Sequence, residues 1–291
     1  MPEAPNSMPP PHGGRQDEGS RPGRRPLVRR HGLGRRLAHW VWAVSLLFLA
    51  TSGLNIFLAH PVLHIGKQSG FEFENSVLAI GAVRDADGER IGVTEILGHR
   101  FETTGLLGVS NRHARAVPSW ATTPSFPDLA TARVIHFFFA WTLVAALALW
   151  LVAGLRDGHL RRNVLPRLSD VRGAPGQCRR YLRLDFREGG GYNALQRLAY
   201  AAVLLVLLPL MALTGLAMSP AAHAVFPPLG PMLGGRETAR TLHFVVMVLL
   251  AGFAVLHVVL ALIVRPSSGL RSIVTGWARA PAREGNRDDK T

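Results

Sequence analysis

Four histidines stand where histidine is costly. His39, His136, His243 and His257 each fall inside a long stretch free of Asp, Glu, Lys and Arg. An ionisable side chain in such a stretch marks a functional site unless a neighbouring helix satisfies it. His243 and His257 are 14 residues apart. At about 1.5 Å and 100° per residue, that is about 21 Å of helix and about 40° short of four full turns. One helix therefore presents two imidazoles on nearly one face, at two depths. If the chain reverses direction at each span, His136 shares the depth of His243 and His39 that of His257. Two imidazoles from facing helices suit the two axial positions of a heme iron. Zinc would take three or four protein ligands per site, and a proton relay would need carboxylates, which these stretches lack. The pattern predicts two heme irons, one held by His136 and His243, the other by His39 and His257. With both axial positions filled, substrate chemistry at the metal is closed off and one-electron transfer remains. No residue is assigned to catalysis.

The elements that must position these rings are readable. Leu37–Leu58, Val134–Leu155, Leu198–Met218 and Leu242–Val264 are each long and apolar enough to cross a bilayer, which takes about 20 residues. Backbone inside lipid must bond to itself, and helices of this length do so. Pro209 lies within the third span and predicts a kink there. The fold expected is an all-α integral membrane four-helix bundle spanning roughly 35–280, with disordered tails at 1–34 and 281–291.

The chain has 291 residues, is 48% hydrophobic and carries a formal charge of +14, a pairing that fits neither a polar nucleic-acid binder nor a disordered basic chain. A single Cys, Cys178, excludes a disulfide framework or a self-contained cluster site and reads as a free reduced thiol. Net charge is +5 over residues 1–36, +5 over 156–193 and +3 over 265–291, against −2 over 59–130 and zero over 219–238. Basic segments stay in the cytoplasm. Both termini are thus expected inside, and the long 59–130 connector between the first two helices is expected in the periplasm, in a multi-pass protein of the bacterial inner membrane. The Arg pairs at 24–25, 29–30 and 35–36 would also suit an export signal. No small-residue cleavage site follows the first span, which favours an uncleaved anchor. The connector shows no metal or cluster motif and no convincing strand beyond short apolar pieces such as Ser76–Val83. The eight remaining histidines, among them His60 and His64, read as solvated loop residues.

Further candidates surround the four rings. Gly53 lies 14 residues after His39 and Gly215 sits near the end of the third span. Both would give clearance for a macrocycle, or serve ordinary small-residue helix packing. Arg36, Arg133 and Arg240 each precede a span histidine by three residues. One turn nearer the water, each is placed for a heme propionate or for lipid headgroups.

These residues resemble the prokaryotic cytochrome b561 family, the diheme b-type subunits of nickel–iron hydrogenases, formate dehydrogenases and related molybdoenzymes. The likeness rests on His39, Arg133-Val-Ile-His136, Tyr192-Asn193-Ala194-Leu195-Gln196, Leu213-Thr214-Gly215, the His243–His257 spacing and Arg271-Ser-Ile-Val-Thr-Gly276. It implies a bundle holding two heme b groups and carrying electrons between membrane quinone and a periplasmic catalytic oxidoreductase, possibly of a molybdopterin type. It places Asn193 and Gln196 beside the quinone, although helix capping by Asn193 and surface exposure of Gln196 explain both equally. The competing function is a transporter or proton-coupled carrier using intramembrane His, which would bring broken helices, buried carboxylates or repeat symmetry.

Overall fold

The computed structural model describes residues 27–29, 32–70, 74–110, 113–158, 160–183, 194–264 and 268–279. Four helices in it are long and apolar enough to cross a membrane. Helix α1 covers Leu33–Phe57 and α2 covers Leu129–Arg156. After the amphipathic α3 (Leu168–Leu182), α4 runs over Ala194–Ala217 and α5 over Arg236–Val264. This is the expected transmembrane bundle. Each spanning helix starts four to six residues before its charge-free stretch, because Arg35, Arg133, Arg197 and Arg240 are accommodated within helical turns. Long basic stems can lie along apolar surface with their heads in water. Asp128 caps α2 by accepting from the Thr131 N–H at 3.0 Å, a bond that also holds its carboxyl below the ordinary range.

Helix α4 departs from regular geometry where expected. A π-helical stretch, Ala202–Leu207, precedes Pro209. Proline has no N–H to donate and its ring crowds the carbonyl four residues back, and a widened turn relieves both. Leu143 and Leu147 of α2, Val203 and Leu208 of α4, and Val246 and Leu250 of α5 form the buried centre, with Trp42, Leu46 and Leu49 of α1 against it. Many other large apolar side chains, such as Val134, Phe138, Leu149 and Val255, face outward, as a lipid-facing surface requires.

Outside the bundle the structure corrects the sequence reading. The 59–130 connector contains an antiparallel sheet of β1 (Val62–His64), β2 (Ser76–Arg84), β3 (Arg90–Ile96) and β4 (His99–Glu102), paired in that order. The segment after β4 crosses the sheet so closely that a Cβ on Gly92 would run into the Leu107 carbonyl. Gly81 and Gly92 within these strands break the alternation by which strands are read. Leu63, Ile80 and Val117 bury a small core against Phe57 at the end of α1, with Phe244 of α5 packed on it. The basic 156–193 loop forms α3, tied to the start of α4 by an Asp170–Arg197 ion pair at 3.3 Å and by the Leu195 N–H donating to Gln177 Oε1 at 3.1 Å. Cys178 is exposed and unpaired on α3. Residues 1–26 and 280–291 lie outside the described residues. Leu27–Arg29, assigned above to a disordered tail, pairs antiparallel with Trp277–Arg279.

Asn55 ties the connector to the bundle. It is 2% exposed; its Nδ2 donates to the Pro124 and Phe126 carbonyls at 2.6 and 2.8 Å, and its Oδ1 accepts from the Asp128 N–H at 3.2 Å. Asn55→Ala is expected to cost about 1–3 kcal/mol, measured by denaturant unfolding in detergent micelles. An unchanged midpoint would show that this tie carries no stability.

Candidate functional site

The four span histidines come together in two pairs. His136 of α2 and His243 of α5 have ring centres 6.2 Å apart. His39 of α1 and His257 of α5 have ring centres 6.3 Å apart. All four rings are half-buried. The pairs form because α5 faces both α1 and α2 across the rings themselves, and because the 14-residue spacing returns one face of α5 after nearly four turns.

These distances test whether a metal fits between the rings. An imidazole nitrogen lies about 2 Å from a bound first-row metal ion and about 1.1 Å from its own ring centre, so two rings on opposite sides of one ion have centres about 6 Å apart. Both pairs meet that separation without rearrangement. Among the described residues, no three His, Cys, Asp or Glu side chains converge on a common metal-sized site. Two imidazoles per site suit an ion whose remaining ligands come from a macrocycle, and the residues present fit a heme.

The connector-side pair is held in matching sockets. Ser52 Oγ lies 3.1 Å from His136 Nδ1, and Thr214 Oγ1 lies 2.9 Å from His243 Nδ1. Both hydroxyl residues are fully buried. Each is followed by glycine: a Cβ on Gly53 would stand 3.3 Å from His136 Cε1, and one on Gly215 would stand 3.4 Å from His243 Cε1. The two glycines therefore make room for the imidazoles themselves, closer in than the macrocycle clearance expected. Ser52 and Thr214 were not singled out from the sequence as ring partners. The available signal was a hydroxyl residue directly before each selected glycine. The other pair is framed by aromatics. Trp40 meets His39 edge-on at 5.5 Å, and Phe253 stacks on His257 at 5.8 Å with Tyr200 at 6.5 Å.

The remaining candidates separate. Arg36 donates from Nη2 to the Val274 carbonyl. Arg133 is exposed, its guanidinium 5.8 Å from the Phe137 ring centre. Arg240 turns to the connector, donating to the His60 carbonyl and lying 3.8 Å from Glu237. His64, read from the sequence as solvated, is 8% exposed, with Nδ1 4.0 Å from Glu237 Oε2. Its carbonyl accepts from Thr241 at 2.7 Å, so the connector is bonded to the turn of α5 that bears His243. Gln196 is half-buried in the first turn of α4, and Asn193 lies outside the described residues.

Comparison with known proteins finds a family and a relative. The family model of prokaryotic cytochrome b561 matches residues 174–276, which include α4 and α5. The chain is 30% identical over 229 residues to a protein of Azospira oryzae named "Putative protein-methionine-sulfoxide reductase subunit YedZ1", covering 79% of this chain and 88% of that protein.

The close approach of Gly53 to His136 can be tested directly. Gly53→Val adds branched bulk where a single Cβ already sits inside ordinary contact distance, and overpacking of this kind costs about 1–3 kcal/mol. A lowered thermal midpoint in micelles is expected. A midpoint equal to that of the parent protein would show that α1 leaves the ring free space.

Proposed function

The chain belongs to the prokaryotic cytochrome b561 family, and from that membership we propose that it carries electrons between membrane quinone and a periplasmic oxidoreductase through two b hemes. As a member of that family it is a membrane heme subunit that passes electrons to a partner oxidoreductase. His136 and His243 would hold one iron and His39 and His257 the other. The observation that carries this reading is the near-identical separation of the two pairs, 6.2 and 6.3 Å, each fit for one ion between two imidazoles. Heme supplies a one-electron couple whose potential the protein sets through axial ligands, burial and hydrogen bonds.

The chain's own residues would do the rest. Helix α5 contributes a ring to each pair and so spaces the two sites about 21 Å apart along its axis, within one membrane thickness. Apolar packing around the pairs, such as Phe253 on His257, excludes water and lowers the local dielectric. Arg36, Arg133 and Arg240 each lie one turn from their histidines; Arg133 is exposed and would meet a propionate, whereas Arg36 and Arg240 would first have to leave the Val274 and His60 carbonyls. Gln196, in the first turn of α4, would meet a quinone together with Asn193, three residues before it in sequence, at the cytoplasmic side, where the charge of the basic 1–36 and 156–193 segments supports both termini and α3 lying. The connector sheet would then face the periplasm, bonded to the His243 turn of α5, and would dock the partner. The name of the Azospira relative points to a methionine-sulfoxide reductase as partner, and because reduction of a sulfoxide consumes electrons, flow would run from quinol to that enzyme.

Purified protein is expected to show reduced-minus-oxidised b-type bands with two hemes per chain. His136→Ala and His243→Ala should share one spectral defect, and His39→Ala and His257→Ala the other. A colourless preparation after heme-replete expression would overturn the reading, and defects that pair differently would overturn the ligand assignment. Deleting residues 72–110 should abolish partner capture while both hemes remain; loss of both hemes would show the sheet to be part of the heme fold instead.

A further inference from the structure

We infer that Ser52 and Thr214 are positioning residues that fix the tautomer of His136 and His243 and thereby lower the reduction potential of the heme between them. The inference rests on the heme reading above. A hydroxyl has one proton to donate. That of Ser52 is directed at the Phe48 carbonyl, 2.5 Å away, and that of Thr214 at the Leu210 carbonyl, 2.8 Å away. With both protons committed to their own helices, only oxygen lone pairs face the imidazoles. A contact of 3.1 or 2.9 Å to Nδ1 is then a hydrogen bond in one direction alone, with the ring donating. Each ring therefore carries its proton on Nδ1, which leaves the Nε2 lone pair for a metal.

The arrangement occurs twice, on different helices. Ser52-Gly53 on α1 serves the histidine of α2, and Thr214-Gly215 on α4 serves the histidine of α5. In both, the glycine admits the Nδ1–Cε1 edge of the ring and the preceding hydroxyl receives its proton. Two independent dipeptides that orient both members of one pair act on the ion between them. An imidazole that donates from Nδ1 is a more basic ligand through Nε2, and a more basic ligand favours the oxidised metal.

Redox titration of the purified holoprotein tests this. Ser52→Ala and Thr214→Ala are each expected to raise the midpoint of the same heme. The ferric-to-ferrous ratio at fixed applied potential should change three- to tenfold, about 30–60 mV at 59 mV per decade. The other heme should be unmoved, and Ser52→Thr and Thr214→Ser should restore the parent midpoint. Unshifted midpoints, shifts in different hemes, or conservative variants as perturbed as the alanines would overturn the proposal. A second measurement needs no heme. Nitrogen-15 spectra of histidine-labelled heme-free protein should report Nδ1–H for His136 and His243, and Nε2–H at either ring would overturn it. A parent protein that binds no heme would sink the functional reading and the effect on potential with it, while this tautomer measurement would still decide whether Ser52 and Thr214 fix the rings.

Discussion

An imidazole in a membrane span has no water to satisfy it, and the rest of this bundle answers to that constraint. Four such rings could each have been bonded separately across helices. Instead they are gathered into two facing pairs at nearly one separation, each with one ring on α5. That choice fixes much else. Helices α1 and α2 must each present a ring to α5 at a different depth. Helices α1 and α4 must approach the connector-side rings closely, which requires glycine at 53 and 215. The widened turn ahead of Pro209 lies about two to three turns before Thr214 on the same helix.

The connector extends this logic beyond the spans. Its first strand is bonded to α5 through Thr241, and the Gly66 N–H donates to Thr238 Oγ1 at 2.8 Å. Arg240 joins α5 to the His60 carbonyl. The sheet is therefore fixed to the same two turns that aim His243, while Asn55 ties the last part of the connector to the end of α1. A partner bound to the sheet would be held in register with the connector-side pair. The opposite end is arranged differently, with α3 joined to the start of α4 through Asp170, Arg197 and Gln177.

How far the sequence could be read follows from the range of each signal. The spans are legible because the absence of charge over about 20 residues is local and has one physical meaning. The pairing of rings is legible because helical periodicity links His243 to His257 without knowledge of anything else. The sheet is not, since its strands pair across loops and Gly81 and Gly92 interrupt their alternation. Helix α3 is hidden by Gly173, Pro175 and Gly176 inside it. Ser52 and Thr214 are hidden for a subtler reason. Hydroxyl residues in apolar helices ordinarily bond their own backbone, as Thr142 does to Phe138 at 2.8 Å. Only the packed structure distinguishes the two whose lone pairs also meet an imidazole.

We propose that each histidine pair would hold one heme iron between its two rings. Low-temperature electron paramagnetic resonance of the oxidised, purified protein tests it most directly. Two low-spin ferric signals of bis-imidazole type in equal amounts are expected. A high-spin five-coordinate signal at one iron per chain, or a single low-spin species, would contradict it.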